Sequence, residues 1–120
     1  MIGRIHFTEE ASKQLGMLKG KTGLTPNILA RIGFCLSLND PSIPDPQNFP
    51  PDGNREIERN VLFGQYEDMI LALLKERCKD DQVNEEEWPE HLKAHFNRGA
   101  MLLHKRVKNI EDIARLFPSK

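Results

Sequence analysis

Gly20-Lys21-Thr22 ends the way a phosphate-binding loop ends, with a lysine and a hydroxyl behind a glycine turn. The full motif needs an earlier glycine five positions back, a strand before it and a helix after it. Position 15 is Leu15, Gly16 is one residue out of place, and the preceding pattern is helical. Nucleotide hydrolysis is therefore not supported. Lys19 and Lys21 remain, exposed beside a turn that opens a second helix. Lysines and backbone amides in that setting suit a nucleic-acid phosphate.

The other reactive residues form no catalytic set. Glu87, His91 and His95 recur every four residues, an acceptable spacing for zinc on a helix. Pro89 interrupts that helix and no fourth ligand is evident, so the histidines read as exposed or capping residues and no metal is expected. Glu85, Glu86 and Glu87 suit the positive first turn of a helix. No G-x-S-x-G elbow occurs, and Cys35 lies in the most apolar helix, where a thiol is inert. The chain is read as non-catalytic, with no cofactor.

The basic residues are distributed unevenly. Net charge is −1. Residues 1–40 carry +2, residues 41–90 carry −8, and residues 91–120 carry +5. If the two ends meet in space they form a basic face on a nearly neutral protein. Lys93, Arg98, Lys105, Arg106 and Lys108 make up most of the late cluster. Arg98 and Lys105, seven apart, point the same way on a helix and are the candidates there for phosphate contact. Aromatics are few, which favours duplex backbone contact over base stacking with a single strand.

The elements that must position these groups follow from periodicity. The chain of 120 residues is the length of one domain. It holds no apolar run able to span a bilayer and no signal peptide at its start, so a cytoplasmic protein is expected. Cys35 and Cys78 are expected as buried thiols, not a disulfide. Residues 2–7 alternate as a strand, with Ile5 and Phe7 on one face and Arg4 and His6 on the other. Thr8 caps a helix with the stripe Ala11, Leu15 and Leu18, ended at Gly20. Thr25 and Pro26 open the next helix, which runs to Leu38.

That second helix is apolar almost all round. Ile28, Leu29, Ala30, Ile32, Phe34, Cys35, Leu36 and Leu38 leave only Arg31 and Ser37 as polar. Such a helix must be buried all round, so an oligomer is expected, with Ile28, Ile32 and Leu36 at the interface. Gly20 and Gly23 are expected where chains approach closely. Residues 41–54 hold five prolines and form an extended connection that is functional or wraps a neighbour. Residues 56–63 fit strand or helix, with an extended segment preferred. A helix over 65–79 follows, with Tyr66, Met69, Ile70, Leu73 and Leu74 as its stripe. Another begins near Asn84 or Pro89 and runs to Lys108, and Asn109 with Asp112 caps a last one, whose apolar contacts are Ile110, Ile113, Leu116 and Phe117. The fold class is mainly α, one small helical domain over 1–120, with the strand–helix–helix order of a ribbon-helix-helix unit.

The segments IHFT, LKGKTGLTPNILARIGFCLSL, IPDP, ERNVLFGQYEDM and HFNRGAMLL resemble the DndE family of bacterial DNA phosphorothioation systems. The resemblance covers most of the chain. These systems replace a non-bridging phosphate oxygen of DNA with sulfur. It implies a helical, tetrameric subunit that binds duplex DNA, preferentially nicked, alongside DndC and DndD. It implies no catalytic residue, and it points to surface lysines, here Lys13, Lys19 and Lys21. The expected function is a non-enzymatic DNA-binding subunit. The alternatives are an assembly subunit binding other Dnd proteins through its acidic middle, and a ribbon-helix-helix repressor reading DNA with Arg4 and His6.

Overall fold

Strand β1, Arg4–His6, is short, and its partner lies in the same chain. In the computed structural model, which describes residues 3–116, it pairs antiparallel with β2, Glu56–Glu58. Ile5 faces Ile57, and Ile5 and Phe7 are fully buried. Ile2 and Phe117 lie outside the described residues. A ribbon-helix-helix dimer would give β2's place to a strand from a second chain. Arg4 is also bonded to Glu56 at 2.8 Å, and His6 lies 3.5 Å from the same carboxylate. The element order matches that architecture and the pairing does not.

Helix α1 is Glu9–Thr22. Thr8 Oγ1 accepts from the Ala11 N–H at 3.0 Å, and Ala11, Ser12, Leu15 and Leu18 form its buried stripe. The helix passes through Gly20 and stops at Gly23, whose φ of 78° is left-handed and whose N–H reaches the Lys19 carbonyl. Thr22 explains the extra turn. Its hydroxyl donates to the Leu18 carbonyl at 2.8 Å and accepts from the Leu24 N–H at 3.1 Å.

Helix α2, Pro26–Asn39, starts with proline at its first position; the Thr25 side chain makes no capping bond. Its Leu29, Ala30, Gly33, Phe34 and Ser37 face inward, most extensively against α5, Trp88–Arg106. Among the described residues, the opposite side is covered only in part. Ile28 and Cys35 are exposed, and Ile32 and Leu36 are half-buried. Cys35 is thus an exposed thiol, against expectation, because it sits opposite the α5 contact. Cys78 is buried, and burial pushes its thiol up to about 11.

The proline-rich connection wraps its own chain. Asp52 Oδ1 accepts from the Glu9 N–H at 2.9 Å, and the Gly53 N–H donates to the Phe7 carbonyl at 3.0 Å. The ambiguous segment 56–63 divides into β2 and a short helix α3, Arg59–Phe63. Helix α4, Glu67–Asp80, buries Ile70, Leu74 and Cys78. Tyr66, Met69 and Leu73 of the expected stripe stay exposed. Helix α6, Ile110–Arg115, is capped as expected: Asn109 accepts from the Asp112 N–H, and Asp112 accepts from the Lys108 N–H at 2.7 Å. The core closes around Phe96, stacked on Phe34 at 4.7 Å and on Phe63 at 6.1 Å.

Candidate nucleic-acid interface

Lys13, Lys19 and Lys21 are all exposed on α1. Successive helical residues advance by about 100°, so Lys19 and Lys21, two residues apart, stand on opposite flanks. Lys13 and Lys19 flank Gly16, each about 60° from it around the helix. Arg55, which the motif reading overlooked, lies against Gly16: its Nη2 is 3.8 Å from where a β-carbon would stand. Its only sequence signal was a cation at the end of the proline-rich connection.

Lys21 belongs to a second group. Its charge and that of Lys108 reach His104 in the last turn of α5. Burial first, and then those two lysines, lower the His104 pKa, while Glu10 acts the other way. Helix α1 packs on α5, and its last turn lies within electrostatic reach of the last turn of α5. That is the juxtaposition the charge distribution required for a basic face. Lys105 is exposed nearby in sequence, on the same last turn.

Arg98 is placed differently. Its side chain is only 12% exposed. Nε donates to Ser37 Oγ at 2.9 Å, Nη2 to the Ser37 carbonyl at 2.8 Å, and Nη1 to the Ser42 carbonyl and hydroxyl. Arg77 holds the adjoining carbonyls of Leu38, Asp40 and Ser42. Two guanidinium groups thus tie the end of α2 to the start of the proline-rich connection. Arg98 does not share a surface with Lys105, because the α2 terminus lies across it.

His91 and His95 are buried, not exposed. His95 Nδ1 is 2.8 Å from Ser37 Oγ. That hydroxyl also accepts the Arg98 Nε–H, and His95 is held as the neutral imidazole. Burial, with Arg98 and Arg77 adding to it, drops the His95 pKa to about 3. Among the described residues, no group of three His, Cys, Asp or Glu side chains is placed to hold a metal ion, and no helix is long and apolar enough to cross a membrane.

The partly covered side of α2 forms one wall of a groove of about 400 Å³. Ile28, Arg31, Ile32 and Cys35 face Tyr66, Met69 and Leu73 across it, over a floor of Phe34 and Ile70. The Arg31 guanidinium stands 5.5 Å over the Tyr66 ring, and its Nε is buried without a hydrogen-bond partner. Leu36 lies on the far flank and packs on the core. A β-carbon at Gly20 or at Gly23 would meet nothing within 4 Å, so neither marks a close approach inside the chain.

The sequence profile of the DNA sulphur modification protein DndE matches residues 4–111. The chain belongs to the DndE family. Its fold is similar to the crystal structure of DndE from Escherichia coli B7A, a protein involved in DNA phosphorothioation modification. The two share 26% identity and a TM-score of 0.68, over 86% of this chain and 98% of that one. A DndE variant carrying two glycine-to-lysine changes has the same fold, with 23% identity and a TM-score of 0.67 over the same shares of each chain. No curated protein sequence matches the chain.

Proposed function

We propose that this chain is a non-catalytic subunit of the cytoplasmic DNA phosphorothioation machinery that holds duplex DNA, preferentially nicked, by its phosphates. Membership of the DndE family supplies the process. The observation that carries the DNA role is the exposure of Lys13 and Lys19 on either flank of Gly16 in α1, with Lys21 and Lys108 also exposed and within electrostatic reach of His104. Such contacts are indifferent to sequence and weaken steeply with salt. Self-association, as a homotetramer, runs through the apolar groove between α2 and α4, with Ile28 and Ile32 in it. DndC and DndD act on the DNA so held.

The same groove favours a second reading, in which the chain is chiefly an assembly subunit that docks DndC or DndD and touches DNA weakly. A gel-shift comparison of nicked duplex, intact duplex and duplexes of different sequence separates the two. Binding to every duplex, tightest to the nicked one, is the expected result. Absence of binding to any of them selects the assembly role, and strong dependence on one sequence overturns both.

A further inference from the structure

Arg55 is held in place by its backbone. Its carbonyl accepts from the Phe7 N–H at 3.0 Å, extending the β1–β2 pairing by one residue. The side chain then crosses to α1 and lies over Gly16, where the missing β-carbon leaves a flat bed. Gly16 is three residues from Lys13 and three from Lys19, the spacing of neighbours on a helix surface. Among the described residues Arg55 forms no ion pair; Glu56 next to it is bonded to Arg4. Its Nε is buried without a partner, which leaves the two terminal nitrogens to meet an anion. Asp52 and Glu9 share the hollow beside Lys13, and Glu56 and Glu58 line a hollow with Arg55, Glu56 being engaged by Arg4.

We infer that Arg55 is a phosphate-contacting residue, completing with Lys13 and Lys19 a row of three cations across the side of α1 that follows one strand of a DNA duplex. The inference rests on the proposed DNA role. A planar guanidinium binds phosphate oxygens two at a time, so Arg55 fixes the strand where a lysine alone only attracts it.

The test is the affinity of a fluorescein-labelled nicked duplex, measured by anisotropy over a range of salt, for wild type, Arg55→Gln, Arg55→Lys and Lys19→Gln. Arg55→Gln is expected to bind several-fold more weakly, with a log–log salt slope shallower by about 0.9, the signature of one lost phosphate contact. Arg55→Lys is expected to keep the slope and lose part of the affinity. If Lys19→Gln flattens the slope and Arg55→Gln leaves slope and affinity unchanged, the Arg55 assignment fails and the DNA role stands. If both arginine variants weaken binding with the slope unchanged, Arg55 is a packing residue and the assignment also fails. If wild type shows no salt-dependent binding, the DNA role itself fails.

Discussion

Gly33 and Gly99 meet where α2 crosses α5, with no space for a β-carbon on either. A β-carbon on Gly33 would lie 2.6 Å from the Gly99 carbonyl carbon and oxygen, and one on Gly99 would strike the Gly33 carbonyl. The obstacle is backbone on both sides, so no rotamer change relieves it. The close crossing brings Phe34 onto Phe96 and Ser37 within reach of His95 and Arg98. Gly99→Ala is expected to destabilise the fold by about 1–3 kcal/mol through overpacking, read as a lowered urea midpoint. Gly20→Ala, in open space within a helix, is expected to leave the midpoint unchanged or raise it.

Burial of neutral His95 makes stability depend on pH. Its pKa is about 3 in the folded chain against the ordinary 6.5. Below pH 6.5 the unfolded chain takes a proton that the folded chain refuses, so stability is complete above that pH and falls as pH drops towards 3. Between pH 6 and pH 4.5 the expected loss is about 2 kcal/mol. Urea midpoints across that range should fall for wild type and much less for His95→Gln. Equal slopes in the two proteins would rule His95 out as the source.

Arg98 is expected to matter for folding and not for the charge of the DNA surface. Arg98→Lys cannot span two carbonyls and two hydroxyls with one ammonium. It leaves the buried Ser37 hydroxyl without its Arg98 donor, at about 1–3 kcal/mol. Denaturation should show that loss, while the salt slope of DNA binding at a temperature where the variant is folded should match wild type. A flattened slope would return Arg98 to the phosphate-contacting set.

The groove between α2 and α4 predicts the oligomer's weak point. Ile32 lines it from α2 and is half-buried in the isolated chain. Ile32→Asp places a charge where apolar faces meet and is expected to give monomers by light scattering, with helix content retained. Wild type already monomeric, or an intact Ile32→Asp oligomer, would remove this groove from the assembly.

Much of this was legible in the sequence. The strand, the capping of α1 by Thr8, the Pro26 start of α2 and the Asn109–Asp112 box rest on local chemistry, which short windows carry. The misread points depend on tertiary structure. Whether Gly20 or Gly23 ends α1 turned on the two bonds of Thr22. Burial of His95 and engagement of Arg98 followed from the α2–α5 crossing, which places Ser37 between residues some sixty positions away. Periodicity gave α4 one stripe, but Ile70, Leu74 and Cys78 are its buried residues while Tyr66, Met69 and Leu73 stay exposed. Arg55 could not be grouped with Lys19 until β2 set its backbone beside α1.

The most direct measurement is the anisotropy titration of a nicked duplex with wild type and with the Lys13→Glu, Lys19→Glu double variant at low salt. Folding of the variant is checked by its circular dichroism. Reversing two contacting charges should weaken binding by more than about tenfold, at least 1.4 kcal/mol, and flatten the salt slope. A folded double variant that binds the nicked duplex as tightly as wild type, with the same salt slope, would contradict phosphate contact by this side of α1.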